Sequence, residues 1–198
     1  FNEEHTLLSY RHAFHAGNFA DVLKHSVLHN VLSYMNRKEK AYSYIDSHSG
    51  AGMYRLLDDY AQKTGEYKQG VAKLIDQESL PPLLGDYVEL IQSFNNDDLV
   101  VYPGSPAVAK ANMRRQDSAH LFELHKTDFG LLDDFSQRWR KANIKQSDGY
   151  KGVIAQLPPP SRRGVVLIDP PFELKEDYIK AVETIISGYR KFATGTYI

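Results

Sequence analysis

The sequence predicts an α/β protein: a parallel sheet, doubly wound, with helices on both faces. Three observations carry that prediction. Short apolar runs rich in β-branched residues, of which "GVVLID" is the clearest, alternate with longer stretches of helical periodicity. Helical segments, not tight hairpin turns, separate most of these runs, as parallel pairing requires. The third is the placement of acids. Asp46, Glu123, Asp148 and Asp169 each close a strand-like run, and sheets of this class bind ligands beyond the carboxyl ends of their strands.

The elements follow in order. "GNFADVLKHSVLHNVLSYMNRKEK" reads as an amphipathic helix, with Leu23, Val27, Val31 and Met35 at four-residue spacing and Leu28 and Leu32 beside them. Asn18 suits its N-cap, and Arg37 and Lys38 suit its end. Tyr42, Tyr44 and Ile45 form a short strand that runs into a glycine-containing loop, Asp46 to Gly52. From about residue 54 to 98 strand signals are few, and "TGEYKQGVAKLIDQ" and "PLLGDYVELIQSFNN" are the helices, parted by Pro81 and Pro82. "LVVYPGSP" is a strand fragment with a Pro-Gly turn, and Pro106 can open the helix that follows. "AHLFELH" is a strand. "DFGLLDDFSQRWRKA" is a helix with Thr127 at its N-cap, "NIKQSDGY" a strand and turn, and "KEDYIKAVETIISGYRKF" the last helix.

Composition narrows the function classes. At 198 residues the chain makes one domain with a substantial core, and 42% hydrophobic and 25% charged residues lie in the ordinary globular range. No apolar run is long enough to span a bilayer, and "FNEEHTLLSYRH" does not have the pattern of a secretory signal. The absence of cysteine excludes disulfides and thiolate metal sites and points to a reducing, cytoplasmic setting. A net charge of −1 means that any nucleic-acid contact rests on local patches. Arg114–Arg115, Arg138–Arg140–Lys141 and Arg162–Arg163 are such patches.

The strand ends supply the chemistry. In "DSHSGAG", Asp46 ends a strand, and Gly50 and Gly52 let backbone approach a ligand closely. The motif is G-x-G, short of the full dinucleotide fingerprint. Glu123 in "FELH" stands where an acid accepts from ribose hydroxyls, yet it lies 77 residues beyond Asp46, against about 20 in a plain nucleotide fold. The excess is read as a helical insertion after the first strand. In "SDGY", Asp148 and Gly149 suit the amino group and ring of an adenine. "DPPF" joins a carboxylate, Asp169, to the proline-fixed carbonyl of Pro170 and the ring of Phe172. Proline keeps its acceptor and has no N–H, so the cluster presents rigid acceptors and a stacking face to a flat base bearing an amine.

"DPPF" resembles the [DNS]-P-P-[FYW] motif of amino-group methyltransferases. The likeness extends along the chain. "LSYRHAFHAGNFADVLKH", "GAG", "KTGEY", "YPGSP", "SRRG", "LIDPPFE" and "YRKFATGTY" follow, in order, the 23S ribosomal RNA adenine-N6 methyltransferase family of RlmJ type. That resemblance implies a Rossmann-like class I methyltransferase fold with a small helical insertion, at about 54–98, within one domain over 1–198. It implies S-adenosylmethionine as cofactor and 23S ribosomal RNA as substrate, with Asp169 catalytic. By the same match, His25, His48, Ser105, Glu123, Asp148 and Gly149 contact the cofactor, and Tyr10 belongs to the RNA site. Phe172 stands where close relatives carry tyrosine, and stacking needs only the π face. Family members continue past "ATGTY" into further strands, so the end of the sheet is expected to be missing here.

The resulting expectation is methyl transfer to N6 of an adenine in 23S ribosomal RNA. Asp169 and the Pro170 carbonyl would accept the amine hydrogens, and Phe172 would stack on the base. Arg11, Arg162 and Arg163 are candidates for the RNA footprint. A monomer without metal or membrane is expected. The alternative is a DNA-directed enzyme, an adenine methylase or nuclease serving the use of external DNA as nutrient. A metal site for the latter would draw on His12 and His15 in "HAFH", but no H-E-x-x-H or clustered Asp/His motif accompanies them.

Overall fold

The computed structural model describes residues 12–198. In chain order the elements are α1 (Phe19–Met35), β1 (Ser43–Asp46), β2 (Met53–Arg55), α2 (Asp59–Thr64), α3 (Val71–Ile75), α4 (Pro82–Ser93), β3 (Val101–Pro103), α5 (Ser105–Asn112), β4 (Ser118–Phe122), α6 (Lys126–Ser136), β5 (Ala142–Lys145), α7 (Gly149–Ala155), β6 (Gly164–Leu167), α8 (Lys175–Lys191) and β7 (Thr196–Tyr197). Five strands form one parallel sheet in the order β5-β4-β1-β6-β7. This is the doubly wound class read from the sequence. Among the described residues no helix is long and apolar enough to cross a membrane.

Two-residue alternation builds the two faces. Tyr44 of β1 and Val165 and Leu167 of β6 pack under α1 and α5, with Leu28, Leu32 and Val108. Ile45, Val166 and Ile168 point the other way, into a core with Val153, Leu157 and Phe192. The same alternation carries past the strand ends. It sets Asp46 on the face of Tyr44, and Asp169 on the face that α1 covers.

Residues 53–103 leave the sheet after β1 and return before α5. They hold three helices and an antiparallel pair, β2 with β3, around a core of Tyr54, Leu56, Val71, Tyr87, Ile91 and Tyr102. The strand expected at "LVVYP" therefore belongs to this pair and not to the parallel sheet. "TGEYKQGVAKLIDQ" is not one helix. Gly65, at φ 63°, ends α2 in the left-handed region. Gly70 then packs so close to the Gly17–Asn18 backbone that a side chain would collide with it.

Two helices turn differently from the sequence reading. In α1 the buried face is Asp21, His25, Leu28, Leu32 and Met35, while Leu23 is 68% exposed. The helix is apolar over much of its circumference, so four-residue spacing alone does not choose the inward side. In α6 the N-cap is His125, whose ring accepts from the Asp128 N–H, and Thr127 lies inside the first turn.

Candidate active site

A cavity of about 680 Å³ opens at the carboxyl end of the sheet, where β1, β4, β5 and β6 all stop. Its floor is the loop after β1. That loop is tied down from both sides, because Ser47 N–H donates to the Leu167 carbonyl and Ser49 N–H to that of Phe122. Gly50, at φ 58°, turns the loop toward the cavity, and its N–H donates to Glu123 Oε2 at 2.7 Å. Glu123 Oε1 accepts from the His125 N–H, also at 2.7 Å. Burial raises the Glu123 pKa, and these two donors only partly offset the rise. Gly149 meets the same loop from the other side: a Cβ there would collide with the Ser47 carbonyl. Asp148 caps α7 by accepting from the Lys151 N–H and borders the cavity.

The expected catalytic cluster stands across from this floor. Asp169, Pro170 and Phe172 all line the cavity. Phe172 takes the left-handed φ of 53°, a conformation that costs a bulky residue energy and gathers at functional sites. Its ring lies 4.7 Å from that of Tyr178, tilted by 43°.

Asp169 has a partner that the sequence reading left without a role. Lys24 Nζ donates to Asp169 Oδ2 at 2.5 Å and lies 2.8 Å from Asp21 Oδ1. Asp21 Oδ2 accepts from His12 Nε2 at 2.8 Å. Burial opposes the Lys24 charge, but the Asp21 and Asp169 carboxylates outweigh it and raise the lysine's pKa. Burial opposes the Asp21 charge as well, and His12 and Lys24 hold its carboxyl well below the usual range. Lys24 and Asp21 are the residues sequence reasoning missed, and His12, read there only as a candidate metal ligand, instead braces Asp21. The available signal was Asp21, Lys24 and His25 at helical spacing on one face of α1; the contact of Lys24 with a residue 145 positions away is set by tertiary packing.

Of the other expected cofactor contacts, His25, His48, Gly50 and Ser105 also line the cavity. Asp46 does not border it. It is wholly buried behind the floor, where Tyr44 and Ser105 hydroxyls both donate to its Oδ2 at 2.7 Å. Burial raises its pKa to about 6 despite those donors. Burial also lowers His48 to about 4, against the pull of Asp169, Asp177 and Asp148, so its ring is neutral near pH 7. His25 is likewise driven down by burial and then by the Lys24 charge. Arg162 and Arg163 sit at the opposite end of β6 from Asp169. The Arg163 guanidinium donates to the Met35 and Lys40 carbonyls, and Arg162 is exposed. Tyr10 and Arg11 lie outside the described residues. His12 and His15 face different carboxylates, Asp21 and Glu66, and so do not converge.

The donor set fits a cationic nucleoside. Carboxylates of Glu123, Asp148, Asp169 and Asp177 border the cavity, the rings of His25 and His48 are uncharged, and the Lys24 ammonium is held by two acids.

Comparisons with known proteins point the same way. A family model described as ribosomal RNA large subunit methyltransferase D, RlmJ, matches residues 39–198. The ribosomal RNA large subunit methyltransferase J of Escherichia coli K12 is 46% identical over 192 residues, covering 96% of this chain and 69% of that protein. The protein of the same name from Haemophilus influenzae is 48% identical over 193 residues, with the same coverages. A solved structure, protein LPL1258 from Legionella pneumophila, superposes with a TM-score of 0.85 at 40% identity, covering 92% of this chain and 68% of that one. Both named relatives are ribosomal RNA methyltransferases, which does not favour the DNA-directed alternative.

Proposed function

The chain belongs to the RlmJ family of ribosomal RNA large subunit methyltransferases, and from that premise we propose that it methylates N6 of an adenine in 23S ribosomal RNA. The observation that carries the reading is the convergence of Asp169, Pro170 and Phe172 on a cavity walled by the loop after β1, Glu123 and Asp148.

His25, His48, Gly50, Ser105, Glu123, Asp148 and Gly149 would hold S-adenosylmethionine. Bound there, it supplies an electrophilic methyl group on a sulfonium centre. The remaining work falls to the protein. The adenine amine is a poor nucleophile because its lone pair is delocalised into the ring, and inside a helix it cannot be reached. The base must leave its stack, and Phe172 offers it a new one. Asp169 and the Pro170 carbonyl accept the two amine hydrogens and so fix N6 in place and favour its tetrahedral form. The N–C bond would form as the methyl–sulfur bond breaks, its electron pair leaving with a neutral thioether, and the nitrogen would shed its proton to Asp169, directly or through water. Lys24 balances the carboxylate's charge in the meantime.

The test uses 23S ribosomal RNA from a strain lacking the corresponding gene. Incubation with the protein and labelled S-adenosylmethionine should place label on N6 of one adenine, located by nuclease mapping. Label on a different atom, or transfer to DNA but not RNA, would refute the assignment.

A further inference from the structure

Asp21 is 1% exposed, and the methyl-transfer account gives it no task. It lies three residues before Lys24 on the inward face of α1. Its Oδ2 accepts from the Gly17 N–H at 2.9 Å and from His12 Nε2 at 2.8 Å. Its Oδ1 lies 2.8 Å from Lys24 Nζ. A buried carboxylate is costly unless donors surround it, and two of these donors, His12 and Lys24, line the same cavity as Asp169. Lysine carries its charge on a flexible stem of four carbons. A single carboxylate would leave the ammonium free to follow that partner's motion, whereas two carboxylates fix it between them. Among the described residues, the hydrogen bond to Lys24 is the one that the Asp169 carboxylate makes. Whatever fixes Lys24 therefore fixes Asp169.

We infer that Asp21 is a positioning residue for methyl transfer: braced by His12 and Gly17, it anchors Lys24, and through Lys24 it sets the orientation of the Asp169 carboxylate. The effect reaches the substrate only through that chain. The inference rests on the reading of Asp169 as acceptor of the adenine amine.

The experiment is a double-mutant cycle on single-turnover methyl transfer to ribosomal RNA, with S-adenosylmethionine affinity measured alongside. Asp21→Asn keeps the side-chain shape and removes the charge. It should slow transfer by about 10- to 100-fold, the loss expected for a hydrogen bond to a charged group. Cofactor affinity should stay within about threefold, showing an intact fold. In a Lys24→Met background, Asp21→Asn should cause no further slowing, because the path through Lys24 is already cut. An Asp21→Asn rate equal to the parent's, or the full slowing repeated in that background, overturns the inference. Should Asp21→Asn alone fail to fold, the double variant removes both charges of the pair together. Its rate against Lys24→Met then decides in the same way: equal supports the anchor, slower refutes it. Failure of the underlying reading would show elsewhere, as turnover by Asp169→Ala, and leaves the coupling between Asp21 and Lys24 separately measurable.

Discussion

Asp46 and Asp169 end neighbouring parallel strands, and from the sequence they look alike. Alternation sets both on the α1 side of the sheet, yet only one reaches the cavity. Asp46 is roofed by the loop that follows it and held by Tyr44 and Ser105, so it supports that loop from behind. Asp169 is followed by two prolines that cannot close over it in the same way. The sequence marks a strand-end acid; whether the next loop covers it depends on packing. This difference has a measurable consequence. The Asp46 pKa of about 6 lies above its ordinary 3.8, so folding disfavours its charge, and the stability it gives below pH 4 is lost as pH rises through 6. Asparagine does not titrate. The stability of Asp46→Asn relative to the parent should therefore rise by about 2 kcal/mol between pH 4 and pH 7, measured by urea denaturation at each pH. A flat or falling difference would contradict this account of Asp46.

At the scale of elements, strand positions were legible because β1, β4 and β6 are short apolar runs with ends marked by acids. Helix orientation was not. α8 shows why. Its inward face is Asp177, Ala181, Thr184 and Gly188, small or hydrogen-bonding residues that let the helix lie close to the sheet. A Cβ at Gly188 would already crowd Tyr197 and Leu157. Its large apolar residues, among them Ile179, Val182 and Ile186, are exposed instead, opposite to what amphipathic patterning implies. Close approach also governs the junction of the β1 loop with α7. Gly149→Ala forces a methyl group against the Ser47 carbonyl, and the backbone on one side must move. The expected fall in Tm is about 5–10 °C, with weakened S-adenosylmethionine binding. Parent-like values of both would show that the junction yields freely.

Across the whole molecule, the functional groups gather at one end of the sheet while exposed apolar side chains gather on two helices. Phe19, Leu23, Val27 and Tyr34 on α1 and Tyr178, Ile179, Val182, Ile185, Ile186 and Tyr189 on α8 all lie open. Contiguous apolar surface of this kind binds hydrophobic dyes and favours association. The 198-residue chain carrying Ile179→Lys, Val182→Lys and Ile186→Lys should bind less dye and sediment as a smaller species, while each change alters stability by only about 0.5 kcal/mol. Unchanged dye binding and sedimentation would mean that the α8 stripe does not drive association. The basic pairs read from the sequence sort by the same geometry. Arg163 is committed to backbone carbonyls at the far end of β6, a role that no charge count could distinguish from RNA contact.

The proposed reaction is methyl transfer at the carboxyl end of the sheet with Asp169 as the acceptor for the amine. It is tested most directly by measuring Asp169→Ala for methyl incorporation into ribosomal RNA and, by calorimetric titration, for S-adenosylmethionine affinity. The account predicts that incorporation is lost and that affinity is largely kept, because the cofactor is held by the loop after β1, Glu123 and Asp148. Incorporation at the parent rate would contradict it.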